Sequence, residues 1–369
     1  MLADNDDIII LIMHKVEHKL VSAYELKFQL ALLNFLDKQV IDAKEIDDDY
    51  ARLYEVIKNL ILSGGKRIRP KMVIMSYLAF GGKKSDEIIP IALAVELLHQ
   101  FLLIHDDVID RDVIRYGVKN IAGTYKDIYD KLITDEAESI HYAKSAALLA
   151  GDVLHGAANA AIIDSSLDSK ILKKVQLIFH QAVYDVCGGE LLDTESSFKK
   201  HEDINTLVIA KYKTASYSFV APLLIGATAA DAEPATCAAL RVFAEDLGIA
   251  FQLRDDLLGV FGDERKTGKS STGDLREGKY TELIARFINL ASSSQLSLYK
   301  KYFGSKDASH KQIDQLKAAI LESGAKASIE NLIDEHEQRA LKELDFLELE
   351  DSFRLQFEEL VKKSVKRSL

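Results

Sequence analysis

The stretch His99–Gly117, HQFLLIHDDVIDRDVIRYG, decides how the rest of the chain is read. As far as Asp106 it is mostly apolar. With Val95, Leu97 and Leu98 just upstream, Phe101, Leu102, Leu103 and Ile104 surround a helix rather than forming a stripe along it. A helix that is apolar on nearly every side belongs inside a protein. Into it the sequence sets Asp106, Asp107 and Asp110. Helical neighbours lie three and four residues apart, so these three can present carboxylates along one edge. Ionised carboxylates in an apolar setting are costly unless a cation neutralises them. Clustered oxygen donors suit a hard divalent cation such as magnesium, which is often shared with substrate phosphates. A helix end returning to solvent would also account for three aspartates, and this stretch alone leaves both readings open.

Downstream the same logic recurs. Phe251–Asp263, FQLRDDLLGVFGD, sets Asp255 and Asp256 in a second apolar helix. Thr267-Gly268-Lys269 and Gly273–Lys279, GDLREGK, then form a glycine- and lysine-bearing loop. Two such helices facing each other would hold metal ions between them, with lysines and arginines receiving phosphates. Upstream, helical spacing of Tyr50, Leu53, Ile57, Leu60 and Ile61 stops at Gly64-Gly65, a usual glycine termination. Lys66, Arg67 and Arg69 follow at once. Three cations after a flexible turn make a cradle for a polyanion, since Arg gives forked contacts to phosphate and Lys a compact charge. A solvated surface loop would look the same. Gly188–Asp193, GGELLD, places acids behind small residues that allow close helix packing or ligand approach, and Tyr212–Tyr217, YKTASY, adds a lysine and hydroxyls.

Composition bounds the rest. Of 369 residues 48% are hydrophobic and 28% charged, enough to bury a sizeable core. Only 19 glycines and 4 prolines interrupt abundant Ala, Leu, Ile, Lys and Glu, so a mostly helical protein is expected. No linker composition or strong repeat divides the chain, so one all-α domain over 1–369 is the economical expectation. A net charge of −11 argues against general nucleic-acid affinity, which needs a basic footprint. Cys187 and Cys237 stand in apolar surroundings and read as buried structural thiols. The apolar run Ile8–Met13 is far short of the roughly 20 residues that cross a bilayer. It also lacks a signal peptide's basic leader and cleavage site. A cytoplasmic protein with no transmembrane segment is therefore expected. The charged amphipathic helices after Gln295 end in Lys362-Lys363 and Lys366-Arg367, cations that suit a helix C-terminus.

Taken together, GGKRIRP from Gly64, the His99 helix with DDVID, YKT, FQLRDD and GKSSTGDLREGK resemble the trans-isoprenyl diphosphate synthases, the polyprenyl synthetase family. The resemblance runs from about Gly64 to Thr281 with the motifs in the family's order. It implies an all-α isoprenoid-synthase helical bundle around a deep central cavity, and a homodimer in which residues 1–45 serve in dimer packing. The implied reaction condenses isopentenyl diphosphate with an allylic diphosphate: dimethylallyl, geranyl or farnesyl. Residue by residue, Asp106, Asp107 and Asp110 match the first aspartate-rich motif, and Asp255 with Asp256 begin the second. They would hold magnesium, three ions in the family picture. Arg115, Lys213, Lys269 and Lys279 match cationic partners of the allylic diphosphate. Lys66, Arg69 and His99 match the isopentenyl diphosphate pocket, and Thr214, Tyr217 and Gln252 match positions near the reacting carbons. In the family, the released diphosphate removes the proton, so no separate protein base is implied.

Three positions depart from the family pattern. Tyr116 stands where a second arginine usually contacts isopentenyl diphosphate, with Lys119 or the C-terminal cations as candidate substitutes. Gly259 stands where the second motif has its third aspartate, with Asp263 one turn later, and Glu190 replaces the glutamine of GQxxD. Product length is set by what blocks the growing tail. Phe101 lies five residues before Asp106, about 7 Å along the helix, with Leu102 beside it. One aromatic at that depth resembles short-chain geranylgeranyl diphosphate synthases. The expected activity is therefore geranylgeranyl diphosphate synthesis, with farnesyl diphosphate synthesis next. A class I terpene cyclase would share the first motif without needing GGKRIRP or the lysine loop. A non-catalytic subunit of a heteromeric synthase would be expected to lose aspartates, and five of six motif positions remain here.

Overall fold

A computed structural model describes residues 5–262 and 273–366. Lys269, Thr267-Gly268 and Asp263 therefore lie outside the described residues, as does Arg367. The chain is helical nearly throughout, as the scarcity of glycine and proline implied. It forms two compact units, Met1–Gln176 with Gly226–Asp231, and Leu177–Ile225 with Ala232–Leu369.

In the first unit α1 (Asn5–Lys44) buries Val21, Tyr24, Phe28, Leu32 and Leu36 at three- and four-residue spacing, packing on α2 (Asp48–Ser63), α3 (Ile68–Ala79) and α4 (Ser85–Asp110). The Asp47 side chain caps α2 by accepting from the Asp49 amide at 2.7 Å. The α2–α3 turn then needs the left-handed backbone of Gly65, at φ +103°.

Helix α4 is the axis of this unit, with Ile88, Ile91, Ala94, Leu97, Leu98, Phe101 and Ile104 all buried. It lies along α6 (Glu136–Ile163), which offers Ala143, Ala147, Ala150 and Gly151 to the contact. Small residues let the two backbones come close. A Cβ at position 151 would strike the His105 ring. By length and composition, α4 and α6 could each cross a membrane. Their packing on each other within a helical unit supplies the protein-side reason for that apolarity.

One feature escaped the all-helical expectation. After α4 the chain makes a small antiparallel ribbon, β1 (Ile114–Arg115) and β2 (Val118–Lys119), with Arg115 opposite Val118. Tyr116 and Gly117 form its two-residue loop, with φ of +54° and +76°. Positive φ at both central residues is the type I′ turn, which matches the natural twist of paired strands. Asn120 then caps α5 (Ile121–Tyr129), its side chain accepting from the Gly123 amide at 2.9 Å.

The chain continues through α7 (Ser169–Ser196). In the second unit α8 (Thr206–Ile209) leads into a π-helical run, Ala210–Val220, and then into α9 (Ala221–Ala229), whose residues from Gly226 onward belong to the first unit. Its central helix is α10 (Pro234–Phe261), which buries Leu240, Phe243, Leu247, Ala250, Leu253 and Leu257. The short α11 (Gly273–Glu277) is followed by α12 (Glu282–Leu290), α13 (Ser293–Tyr302), α14 (His310–Glu322), α15 (Ala325–Glu343) and α16 (Asp351–Val365). Helix α15 lies against α10, where the buried His336 ring meets Asp246 at 2.6 Å and the Arg339 guanidinium reaches the same carboxylate at 3.1 Å.

The cysteines differ from expectation. Cys187 is exposed and Cys237 half-buried. Helix α7 buries Val175, Phe179, Ala182 and Val186. The next residue turns about 100° away from that stripe, so apolar sequence neighbours did not make Cys187 a core residue.

Candidate active site

The first acid-rich segment is organised by the hairpin behind it. The ribbon folds Arg115 back onto the end of α4. Its Nε donates to Asp107 Oδ1 at 2.7 Å, and a terminal nitrogen donates to Asp106 Oδ2 at 3.0 Å. Asp107 is buried at 2% exposure. That burial lifts its carboxyl above the usual range, while Arg115 pulls the other way. Burial also opposes charge on Arg115, yet Asp107 and Asp106 raise its pKa and keep the guanidinium protonated. Asp110 is the last residue of α4 and is exposed. The three aspartates thus share a helix end, graded from buried at Asp107 to exposed at Asp110.

The cation triplet divides by role. Arg67 turns inward from a left-handed backbone, φ +49°, and pairs with Glu96 at 2.6 Å. The Glu96 side chain is 1% exposed and also accepts from Gln100 at 2.7 Å. Arg67 donates besides to the Ile61 carbonyl, tying the turn to the end of α2. Lys66 is exposed. Arg69 lies 3.0 Å from His99 Nε2. Burial first, then the charges of Arg69, Arg115 and Arg67, hold the imidazole well below its usual pKa, so His99 is a neutral partner for Arg69. Tyr116 is packed on the same turn. A Cβ at Gly64 would lie 2.6 Å from its ring, closer than real side-chain atoms approach, so position 64 accepts glycine alone unless the ring moves. Tyr116 thus replaces a charge with an aromatic cover. Lys119, a candidate substitute for the missing arginine, is engaged in an exposed ion pair with Asp127.

Phe101 is buried where the sequence places it, and Leu102 beside it is partly exposed. Its ring meets His105 nearly edge-on, with centroids 4.7 Å apart, and His155 of α6 at 5.0 Å. The sequence reading missed both histidines. His105 could have been found by its four-residue spacing from Phe101, whereas His155 arrives only through α4–α6 packing.

In the second unit Gly189 of α7 abuts the backbone of Tyr212 and Lys213, and Gly248 of α10 abuts Ala215. These close approaches hold the π-helical run from two sides. Such wide turns often occur at functional sites. Lys213 reaches Asp193 at 2.5 Å and Glu190 at 3.1 Å, so the glutamate in place of the usual glutamine becomes an ion-pair partner. Thr214 donates to Gln252 at 2.6 Å, and Gln252 donates to Asp256 at 2.7 Å, orienting one carboxylate from the π-run. Asp255 and Tyr217 are partly exposed. Burial pushes the Asp256 carboxyl up to about 8 against the bond from Gln252, with repulsion from Asp274, Asp255 and Asp193 adding to it. Lys279 lies 3.3 Å from Glu277 and 3.8 Å from Asp274.

These acids fit magnesium. Asp107 Oδ2 is a buried carboxylate oxygen with no hydrogen-bond partner, and Asp256 is held above the usual carboxylate range. Both are relieved by a cation. Among the described residues no three His, Cys, Asp or Glu side chains already form a metal cage. Magnesium does not need one, because it takes one or two carboxylates and completes its shell with water and substrate phosphates.

A helical chain with two acid-rich helices and facing cations is the architecture of a prenyl synthase, and this chain belongs to the polyprenyl synthetase family, whose model matches residues 50–320. It is a trans-prenyltransferase, in a family that uses isoprenyl diphosphates and depends on magnesium. It is 31% identical over 284 residues to a short chain isoprenyl diphosphate synthase of Methanocaldococcus jannaschii, covering 76% of this chain and 80% of the relative. It is 33% identical over 273 residues to the geranylgeranyl diphosphate synthase of Sulfolobus acidocaldarius, covering 73% and 76%. The crystal structure of a Corynebacterium glutamicum geranylgeranyl pyrophosphate synthase, complexed with isoprenyl diphosphate and magnesium, matches with a TM-score of 0.85 at 31% identity, covering 93% of this chain and 98% of that one.

Proposed function

We propose that the whole chain acts as one synthase, elongating dimethylallyl, geranyl or farnesyl diphosphate with isopentenyl diphosphate to geranylgeranyl diphosphate. The observation that carries the C20 reading is Phe101, buried five residues before Asp106 with its ring wedged against His105 and His155. A stiff aromatic block at that depth limits the growing tail.

Arg115, Lys213 and Lys279 bind the allylic diphosphate, with Lys269 from the loop outside the described residues. Each of the three described cations lies beside carboxylates that a diphosphate would supplant. Lys66 and Arg69 hold isopentenyl diphosphate, with neutral His99 directing the Arg69 guanidinium. Asp106, Asp107, Asp110, Asp255 and Asp256 hold magnesium, three ions in all. When bound, magnesium supplies Lewis-acid neutralisation of charge on the departing diphosphate. Thr214, Gln252 and Tyr217 stand beside the reacting carbons, where the Thr214–Gln252 bond fixes the amide's orientation. Apolar walls keep water from the allylic cation. Fixed cations that meet charge as it develops need little reorganisation during reaction, and this lowers the barrier.

We also propose a homodimer. Leu26, Leu30 and Leu33 on the outer face of α1, with Leu148 and Leu149 on α6, are exposed apolar side chains that a second copy would cover.

Product analysis tests the reading. Purified protein is incubated with labelled isopentenyl diphosphate, magnesium and each starter. A C20 product is expected. A C15 product, or one longer than C20, would retain the enzyme and move the block away from Phe101. Folded protein that elongates no starter would replace this reading with the partner-subunit one, for which Tyr116 is the motivating substitution.

A further inference from the structure

Lys279 stands in the irregular segment Gly278–Thr281 that joins α11 to α12. A long cationic side chain on such a segment is well placed only if the backbone beneath it is held. The segment supplies part of that hold itself. Gly278 turns at φ +74°, and the Lys279 amide donates to the Asp274 carbonyl at 3.0 Å. Asp274 in turn abuts α10, where a Cβ on Gly259 would strike its carboxylate. The rest of the hold comes from far away in the sequence. The 3-10 turn His201–Asp203, between α7 and α8, lays the His201 ring on that of Tyr280, with centroids 4.3 Å apart and planes 16° from parallel. Tyr299 of α13 backs the same imidazole, with its hydroxyl 3.4 Å from Nε2. Five residues after His201, the Thr206 hydroxyl donates to Glu282 Oε2, and the other oxygen of Glu282 accepts from Arg286 at 2.9 Å. The two contacts bracket the segment, one on the residue after Lys279 and one on the first residue of α12. His201 is exposed, so burial in the core does not enforce its stack on Tyr280.

We propose that His201 is a positioning residue for the allylic diphosphate: with Thr206 it clamps the segment that presents Lys279. The inference rests on the reading of Lys279 as a diphosphate ligand. The same connection runs on through α8 into the π-helical run that carries Lys213. One stretch of chain therefore fixes two cations, Lys213 by covalent continuity and Lys279 by the stack and the hydrogen bond. A cation whose place is settled before the diphosphate arrives costs less ordering on binding.

A stack that served only the fold would lower the melting temperature and leave ligand affinities alone. Calorimetry on the full chain separates the two roles by measuring magnesium-dependent binding of geranyl diphosphate and metal-free binding of isopentenyl diphosphate. His201→Ala should weaken geranyl diphosphate binding about three- to tenfold, the range that an aromatic pair contributes. Isopentenyl diphosphate binding should be unchanged. His201→Phe keeps a flat ring on Tyr280 and should restore geranyl diphosphate binding. In a Lys279→Gln background His201→Ala should have no further effect, because a residue acting through Lys279 then has nothing left to position.

Parent-like geranyl diphosphate binding in His201→Ala, while Lys279→Gln weakens it, would overturn the inference and leave the diphosphate reading of Lys279 standing. Parent-like binding in both variants would overturn the inference and that reading together, as would a parent chain that binds no geranyl diphosphate. Additive losses in the double variant would also overturn the inference. Should His201→Ala fail to fold, Thr206→Val, which removes the hydroxyl, carries the same comparison. A loss that vanishes in the Lys279→Gln background supports the clamp, and parent-like binding in folded Thr206→Val overturns it.

Discussion

Arg67 and Glu96 offer a sharp quantitative test, because the pair is nearly buried while the adjacent Lys66 is exposed. Glu96 is 1% exposed, and the Arg67 side chain is 13% exposed. In Glu96→Leu the guanidinium keeps only its bond to the Ile61 carbonyl and becomes a nearly buried, uncompensated charge. In Arg67→Met the carboxylate keeps only the Gln100 amide. Removing one partner of a buried ion pair typically destabilises by about 3–5 kcal/mol, whereas replacing both with apolar groups of similar volume is often neutral or stabilising. The double variant Arg67→Met/Glu96→Leu still loses a donor to Ile61, at about 1 kcal/mol. It should therefore lie within about 2 kcal/mol of the parent, far from the sum of the single variants. Urea denaturation followed by circular dichroism measures all four proteins. Isopentenyl diphosphate affinity gives a second readout, because Lys66 and Arg69 flank the anchored residue. It should fall at least tenfold in each single variant, a loss of about 1.4 kcal/mol. Single variants within 1 kcal/mol of the parent, or a double variant as unstable as the sum, would refute the reasoning.

Phe101→Ala should lengthen the product beyond C20 and cost about 3–5 kcal/mol of stability through the cavity left against His105 and His155; an unchanged product distribution in folded protein would count against Phe101 as the block. Tyr116→Ala uncovers the Gly64 turn and should raise KM for isopentenyl diphosphate severalfold with kcat little changed, whereas equal losses in kcat and kcat/KM would assign Tyr116 to the transition state instead. Lys119→Ala should leave that KM unchanged, because Lys119 is held in an exposed pair with Asp127 that contributes roughly 0–1 kcal/mol; a large rise would restore it as the missing arginine's substitute. Asp256 should make stability depend on pH. Its carboxyl is raised from an ordinary 3.8 to about 8, so the folded protein holds a proton that the unfolded chain has already released. The associated stability is fully present below roughly pH 4 and is lost as pH rises towards 8. The melting temperature of the metal-free protein should fall across that window, and magnesium with inorganic diphosphate should offset the fall at the alkaline end. Asp256→Asn should flatten the profile, and a flat profile in the parent would exclude the perturbed carboxyl.

How much was legible beforehand follows from the range of each signal. The helices, the place of Asp106, Asp107 and Asp110 on one edge, the pair Asp255-Asp256 and the stop at Gly64-Gly65 are written within a few residues. The 3.6-residue period alone decides which side chains share a face, and the order of those local motifs was enough to read the family. The hairpin at Tyr116-Gly117 was missed although its signal is local. A tyrosine is a poor candidate for positive φ, and only its packing on Gly64 shows what favours it there.

Tertiary structure decided the rest. In the run Lys66, Arg67, Arg69, three adjacent cations look equivalent, and only Glu96, 29 residues after Arg67 on another helix, turns one of them into a buried anchor. Thr214 reaches Gln252 across 38 residues, His155 reaches Phe101 across 54, and the carboxylate over Gly259 comes from α11 rather than from α10. None of these pairings has a periodicity. Each exists because the helices meet on particular faces, and that choice is made by the buried apolar surface of the whole unit rather than by the residues that form the pair.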